Sequence, residues 1–309
     1  MSLQHRIARD SLAVTALVLV ARAVGLLVPL CVARWFGAEA ATDAYYLVVG
    51  FPLMVIAVVQ AALGSTLTPV FVRLRLEAPA TLPAGLTTLL GLVAAGLSIT
   101  AIGLLFALPP LLEHLWRDRP ATAALSIDML ELLLPLLPLS GIALTLRSMV
   151  DAMQVFRRPA LIPLLRGGVQ IGGLALLHTP LGPMALPVSL LLAEAAHVAA
   201  LLLLVRTLGI RFAWPTRLPA PLRTALVLAV PLAAGEAAVN LSPVIDRLFA
   251  ARLGTGDLSA LEYATRVMAT PKQPCRPGCS RWCLPTGPGL SSDQGSRGSG
   301  RALPRSPVG

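Results

Sequence analysis

The chain has 309 residues, 56% of them hydrophobic and 13% charged, with mean hydropathy +0.77 and a formal net charge of +10. Its length fits two soluble domains, but so apolar a composition argues against that class. Nucleic-acid binding is disfavoured by where the charge lies: five of the ten net positive charges fall from Lys272 onward, and the rest sit mostly in short connections.

The apolar residues come in long runs. Stretches 12–36, 45–72, 84–108, 125–153, 161–178, 184–205 and 222–250 each suffice to cross about 30 Å of hydrocarbon, and 258–271 begins an eighth. Backbone in lipid must satisfy its own hydrogen bonds, so these read as helices. The fold class is all-α, a polytopic helical membrane protein. Arg6 and Arg9 precede the first run as in a signal peptide, but the run is too long and has no small-residue cleavage pattern before Trp35, so it reads as an uncleaved first helix. Ten basic residues lie at the N-terminus and in the second, fourth and sixth connections, against five on the other side. That bias predicts a cytoplasmic N-terminus.

The first span carries Arg22, which at mid-membrane costs roughly 2.5–3.5 kcal/mol and should therefore face a bundle or a wet cavity. A short hairpin with Gly37 and Ala41-Thr42-Asp43-Ala44 follows, with Tyr45 and Tyr46 expected at the membrane interface. The second span contains Pro52 and Pro69, which allow bending. Gly85, Gly91, Gly96 and Gly103 in the third read as a helix-packing face, and 109–120, with a solvated His114, as an interfacial hairpin. The fourth holds Asp128 and Glu131 near its outer end, Pro135 and Pro138 in mid-span, and Arg147 with Asp151 at the spacing of a neutralising pair. Arg166 opens the fifth span within reach of the headgroups. Glu194 and His197, three apart in the sixth, fit either a proton-sharing pair or a hydrogen-bonded helix contact.

Residues 1–208 read as an N-terminal lobe of six helices, 209–221 as a cytoplasmic connection, and 222–271 as the first two helices of an incomplete second lobe. The pattern Ala33-Arg34…Gly37 recurs as Ala251-Arg252…Gly254, each followed by a small polar residue, a tyrosine and a proline, a weak sign of a parallel internal repeat. Residues 272–309 have the Pro/Gly/Ser/Arg composition of disorder, and so abrupt a change reads as a truncation or shifted frame, with a native basic tail as the alternative. Cys275, Cys279 and Cys283 in that tail match no zinc or cluster spacing, and no metal or cofactor is expected. No phosphate loop, nucleophile pair or soluble carboxylate pair is present to suggest an enzyme.

At Arg22, Gly37, Ala41-Thr42-Asp43-Ala44, Pro52, Thr68-Pro69-Val70-Phe71, Asp246-Arg247, Tyr263-Ala264, Arg266 and Pro271, residues 1–271 resemble the MurJ (MviN) family of lipid II flippases. The resemblance implies a two-lobe exporter fold worked by alternating access in the bacterial cytoplasmic membrane. Its substrate would be an undecaprenyl-pyrophosphate-linked saccharide, and cell-wall synthesis proteins are candidate partners. Arg22 and Arg266 match the family's cavity arginines; with Arg147 and Arg166 they are the candidate pyrophosphate ligands, since guanidinium groups grip such an anion bidentately. Gly37, Asp43 and Pro52 are the candidate conformational residues. The chain departs from the family at Val28 and Pro29, where an Arg-Asp pair is expected, and at Ile56, Ala57 and Ala61, where arginines and a glutamate are. Alternative readings are an exporter of exopolysaccharide, drugs or cations from the same superfamily, with Asp128, Glu131, Glu194 or Glu236 carrying protons, and a non-transporting truncated membrane protein.

Overall fold

The computed structural model describes residues 3–155, 158–210, 212–214 and 218–272, without the side chains of 3–15, 18 and 269–272. Arg6, Arg9, Arg157, Arg211, Arg217 and the tail cysteines therefore lie outside the described side chains. Residues Met1–Met268 form one unit and Ala269–Gly309 a second, and all that follows concerns the first.

Among the described residues the longer elements are α-helices: α1 (Leu3–Phe36), α2 (Ala40–Glu77), α3 (Leu82–Leu115), α4 (Pro120–Leu133), α5 (Leu136–Ala152), α6 (Ile162–Leu181), α7 (Ala185–Thr207), α8 (Ala220–Ala250) and α9 (Asp257–Lys272). Among the described residues six helical stretches are long and apolar enough to cross a membrane, and the longest of them, Pro159–Thr207, holds both α6 and α7.

Three expectations change. Pro135 cannot donate an N–H and crowds the preceding turn, so the fourth span divides into α4 and α5 at Leu134-Pro135, although both residues keep right-handed helical dihedrals. Conversely α3 runs through Pro109 and Pro110 to Leu115, and the hairpin expected over 109–120 shrinks to the turn Trp116–Arg119. The glycines of α3 are not a packing face either. A Cβ at Gly91, Gly96 or Gly103 would meet nothing within 4 Å, and only Gly85 touches another helix, through Leu222 and the adjoining Pro219. The close approaches lie elsewhere, with Gly141 of α5 under Leu97 and Val93 and Gly167 of α6 under Val24.

Helix α2 is the hub, packing against α8, α5 and α4, while α1 packs on α6 and α6 on α7. Two apolar cores stack along it. One, at the end holding the α2–α3, α5–α6 and α7–α8 connections, gathers Leu67, Phe71, Leu86, Leu146 and Leu201; we call this the proximal end. The other gathers Leu47, Met129, Leu133 and Leu186 toward the α1–α2, α3–α4, α6–α7 and α8–α9 turns, the distal end. Few residues of the α1 and α8 spans are fully buried, and both carry exposed apolar side chains, such as Leu27 and Leu30 on α1 and Val227 and Val239 on α8.

Candidate functional site

The distal end is closed by a latch between two helical hairpins. Gly37, at φ +62°, ends α1 in the left-handed region that glycine occupies without a Cβ penalty. At the start of α2, the Glu39 N–H donates to Thr42 Oγ1 at 2.9 Å, and Asp43 in the next position is only 1% exposed. Its carboxylate accepts the Gly256 N–H at 2.6 Å, the Ser259 N–H at 2.8 Å and the Ser259 hydroxyl at 2.6 Å. A helix start leaves its first N–H groups without partners and carries partial positive charge. Asp43 thus caps α9 from another hairpin, where its own helix supplies no acceptor. Gly256 sits at φ +92°, and a Cβ there would lie 2.6 Å from the Ala38 carbonyl oxygen. The Tyr263 hydroxyl donates to Gly37 O at 2.8 Å, and its ring meets Tyr46 edge-on at 5.6 Å.

Behind the latch lies a cavity of about 340 Å³ walled by α1, α2, α6, α7 and α9. Gly25, Val28, Pro29 and Val32 form one side, Tyr45, Tyr46 and Val49 another, and Arg166, Gln170 and Arg266 bring polar groups. Tyr45 and Tyr46 are each 6% exposed, so they line this wall instead of the membrane interface. The α2 hairpin turns them inward against α9.

The structure brings two of the four candidate arginines together here. Arg166 Nε donates to Glu194 Oε2 at 2.8 Å; the Ser140 hydroxyl donates to Glu194 Oε1 at 3.2 Å, and His197 Nδ1 lies 3.4 Å from that oxygen. Glu194 is 4% exposed, and a charge so placed persists only when paired and hydrogen-bonded. The two sequence readings of Glu194 and His197 both omit this ion pair between helices. Arg266 reaches the cavity from α9 with its Nε 4.0 Å from Glu262 Oε2, and Glu262 also accepts from Arg247 Nε. Arg247 packs against α2 at Gly50, where a Cβ would lie 2.7 Å from Arg247 Nη1 and 3.0 Å from its Cδ.

The other two candidates lie apart from the lining. Arg22 is on α1 between the lining residues Ala21 and Gly25, with its Nη1 buried and lacking a hydrogen-bond partner. Arg147 pairs with Asp151 at 3.0 Å, as its spacing predicts, and donates Nη1 to Pro159 O at 3.3 Å, which ties down the α5–α6 turn. Pro52 is buried inside an unbroken α2. Sequence reasoning misses Ser140, Gly256, Ser259 and Glu262 as site residues, of which Glu262, four residues before Arg266, carries a readable signal; Arg247 appears there only among the residues of the family resemblance.

A family model described as lipid II flippase MurJ matches residues 32–273. The chain belongs to the MurJ lipid II flippase family. Among solved structures, it is similar to a lipid II flippase MurJ in an inward closed conformation. The two share 19% identity at a TM-score of 0.69, covering 84% of this chain and 54% of that one. That identity speaks for the fold, and the chain spans about half the length of that relative. A search of curated proteins finds no match. MurJ membership together with six membrane-capable stretches makes this a multi-pass membrane protein, in a family of flippases rather than of enzymes in the usual sense.

Proposed function

We propose that this MurJ-family chain belongs to a flippase that moves a lipid-linked saccharide, such as lipid II, from the inner to the outer leaflet of a bacterial cytoplasmic membrane. The single observation that carries the reading is the pairing of Arg166 and Arg266, from α6 and α9, in the wall of one largely apolar cavity. A pyrophosphate is at least a dianion, and guanidinium forks suit it. Each arginine has an acidic neighbour holding its Nε side, Glu194 and Glu262. An exporter of cations would want free carboxylates here, whereas these are engaged by arginine.

In this reading the N-terminus is cytoplasmic, residues 1–208 and 222–271 belong to two lobes around the cavity, and the Asp43 latch is the outer gate. It parts when the substrate leaves. Arg22, at the cytoplasmic side of the cavity, offers its unpartnered Nη1 to the incoming pyrophosphate. Movement of the bound anion draws on an ion gradient or the membrane potential, worth about 2.3 kcal/mol per charge per 100 mV. The test is rescue of cells depleted of their own lipid II flippase, read together with the appearance of labelled lipid-linked saccharide in the outer leaflet. Rescue that fails when Arg166 and Arg266 are both replaced by Ala supports the reading. If the intact chain, well expressed, delivers no labelled lipid, the reading falls.

A further inference from the structure

A second cavity, of about 410 Å³, lies at the distal end between the α3–α4 turn and the α8–α9 turn, separate from the one behind the latch. Its wall includes His114, Trp116, Arg117, Asp118, Arg119 and Arg252. With histidine neutral, three arginines against one aspartate leave it strongly cationic. Two donors in this wall are buried with no acceptor: Trp116 Nε1 and Arg119 Nη1. Trp116 is 3% exposed, and the Arg119 guanidinium carbon sits 5.8 Å from its ring centroid. Buried donors are normally satisfied, because an unmade hydrogen bond leaves the full desolvation cost of the donor uncompensated. The one carboxylate of the wall, Asp118, does not hydrogen-bond to either of them.

We propose that this pocket binds a phosphate group, presented either by an anionic phospholipid headgroup or by free phosphate. Three guanidinium groups suit a tetrahedral anion with several acceptor oxygens better than a carboxylate with two. The position fits the lipid source: along α3 the pocket is preceded by the exposed apolar side chains Ile102, Phe106 and Leu111. Arg252 rides on the α8–α9 turn, whose Gly256 N–H Asp43 holds, so the latch steadies one wall of the pocket against the other. A ligand that needs both walls favours that arrangement. The inference does not depend on what the cavity behind the latch carries.

The full-length chain in neutral detergent is titrated with inorganic phosphate, and separately placed in phosphatidylcholine nanodiscs with and without phosphatidylglycerol. The unfolding midpoint and the lipid phosphorus retained after washing are the readouts. A saturable response to at least one probe is expected, weakened about 10-fold or more in Arg119→Gln and Arg252→Gln. Trp116→Phe, which keeps an aromatic ring but removes the indole N–H together with part of the ring system, weakens it several-fold, whereas Arg206→Gln at the proximal end leaves it unchanged. Response to inorganic phosphate assigns a site open to the free ion; response confined to phosphatidylglycerol discs assigns a headgroup site. Should Arg119→Gln fold poorly, Arg252→Gln carries the comparison, because its side chain is exposed. No saturable response, or one equal in these variants and the unmodified chain, overturns the proposal.

Discussion

Glu194 shows how much one carboxylate decides in this chain. Charge inside a span is expensive, yet here Arg166, Ser140 and His197 converge on it from α6, α5 and its own helix. Replacing Glu194 by Ala strands Arg166. The expected loss is about 1–3 kcal/mol, below that of a fully buried pair because the Arg166 side chain is 39% exposed. Denaturant unfolding of Glu194→Ala beside the double variant Glu194→Ala/Arg166→Ala checks this, since the double variant recovers part of the loss. For transport, Arg166→Ala and Arg266→Ala are each expected to reduce outer-leaflet delivery about 10-fold or more, the worth of one charge-assisted hydrogen bond to the anion. Arg147→Ala, which alters only the α5–α6 turn, should leave delivery within about 3-fold once expression is matched, because exposed i,i+4 pairs are worth roughly 0.3–0.5 kcal/mol.

At the scale of elements, the α1–α2 and α8–α9 hairpins hold each other through Asp43. Asn at that position keeps the shape and one acceptor but removes the charge and the second carboxylate oxygen, so the cap weakens by about 1–2 kcal/mol. Thiol labelling of a cysteine at Ala38, in a background with the native cysteines replaced, should speed up in Asp43→Asn; an unchanged rate means that Asp43 does not hold the gate. Gly256→Ala tests the same contact from the other hairpin. Its Cβ would press on the Ala38 carbonyl at a left-handed φ, and about 1–3 kcal/mol of destabilisation follows. Element boundaries are legible where local chemistry decides them, as at Gly37 and at the Arg147–Asp151 pair. They are not legible at Pro109, Pro110 and Pro135: a proline marks where a bend is allowed, but neighbouring helices determine whether it is taken. Tyr45 and Tyr46 differ from expectation for a related reason. An aromatic residue near a span end suits the interface by itself, and only the approach of α9 turns this pair into a cavity wall.

For the whole molecule, the alternation of connections predicts that the turns around Gly37, Asp118 and Gly254 lie outside the cell and that around Ala78 inside. Cysteines placed at Asp118 and at Glu77, again in a cysteine-free background, separate the two. An impermeant thiol reagent added to intact cells should label the first and spare the second. The opposite result inverts the proposed direction of transport. Composition and run lengths determined by themselves that the chain is all-helical and that it crosses a membrane repeatedly. Each of these follows from properties that sum along the chain: hydrocarbon thickness, backbone self-satisfaction and the cost of charge in lipid. The tertiary structure alone decided which arginines share a cavity, which carboxylates restrain them, and that Asp43 caps a helix more than two hundred residues away. Those outcomes depend on pairwise distances between helices, and in lipid those distances come from close packing and polar contacts that no single segment encodes.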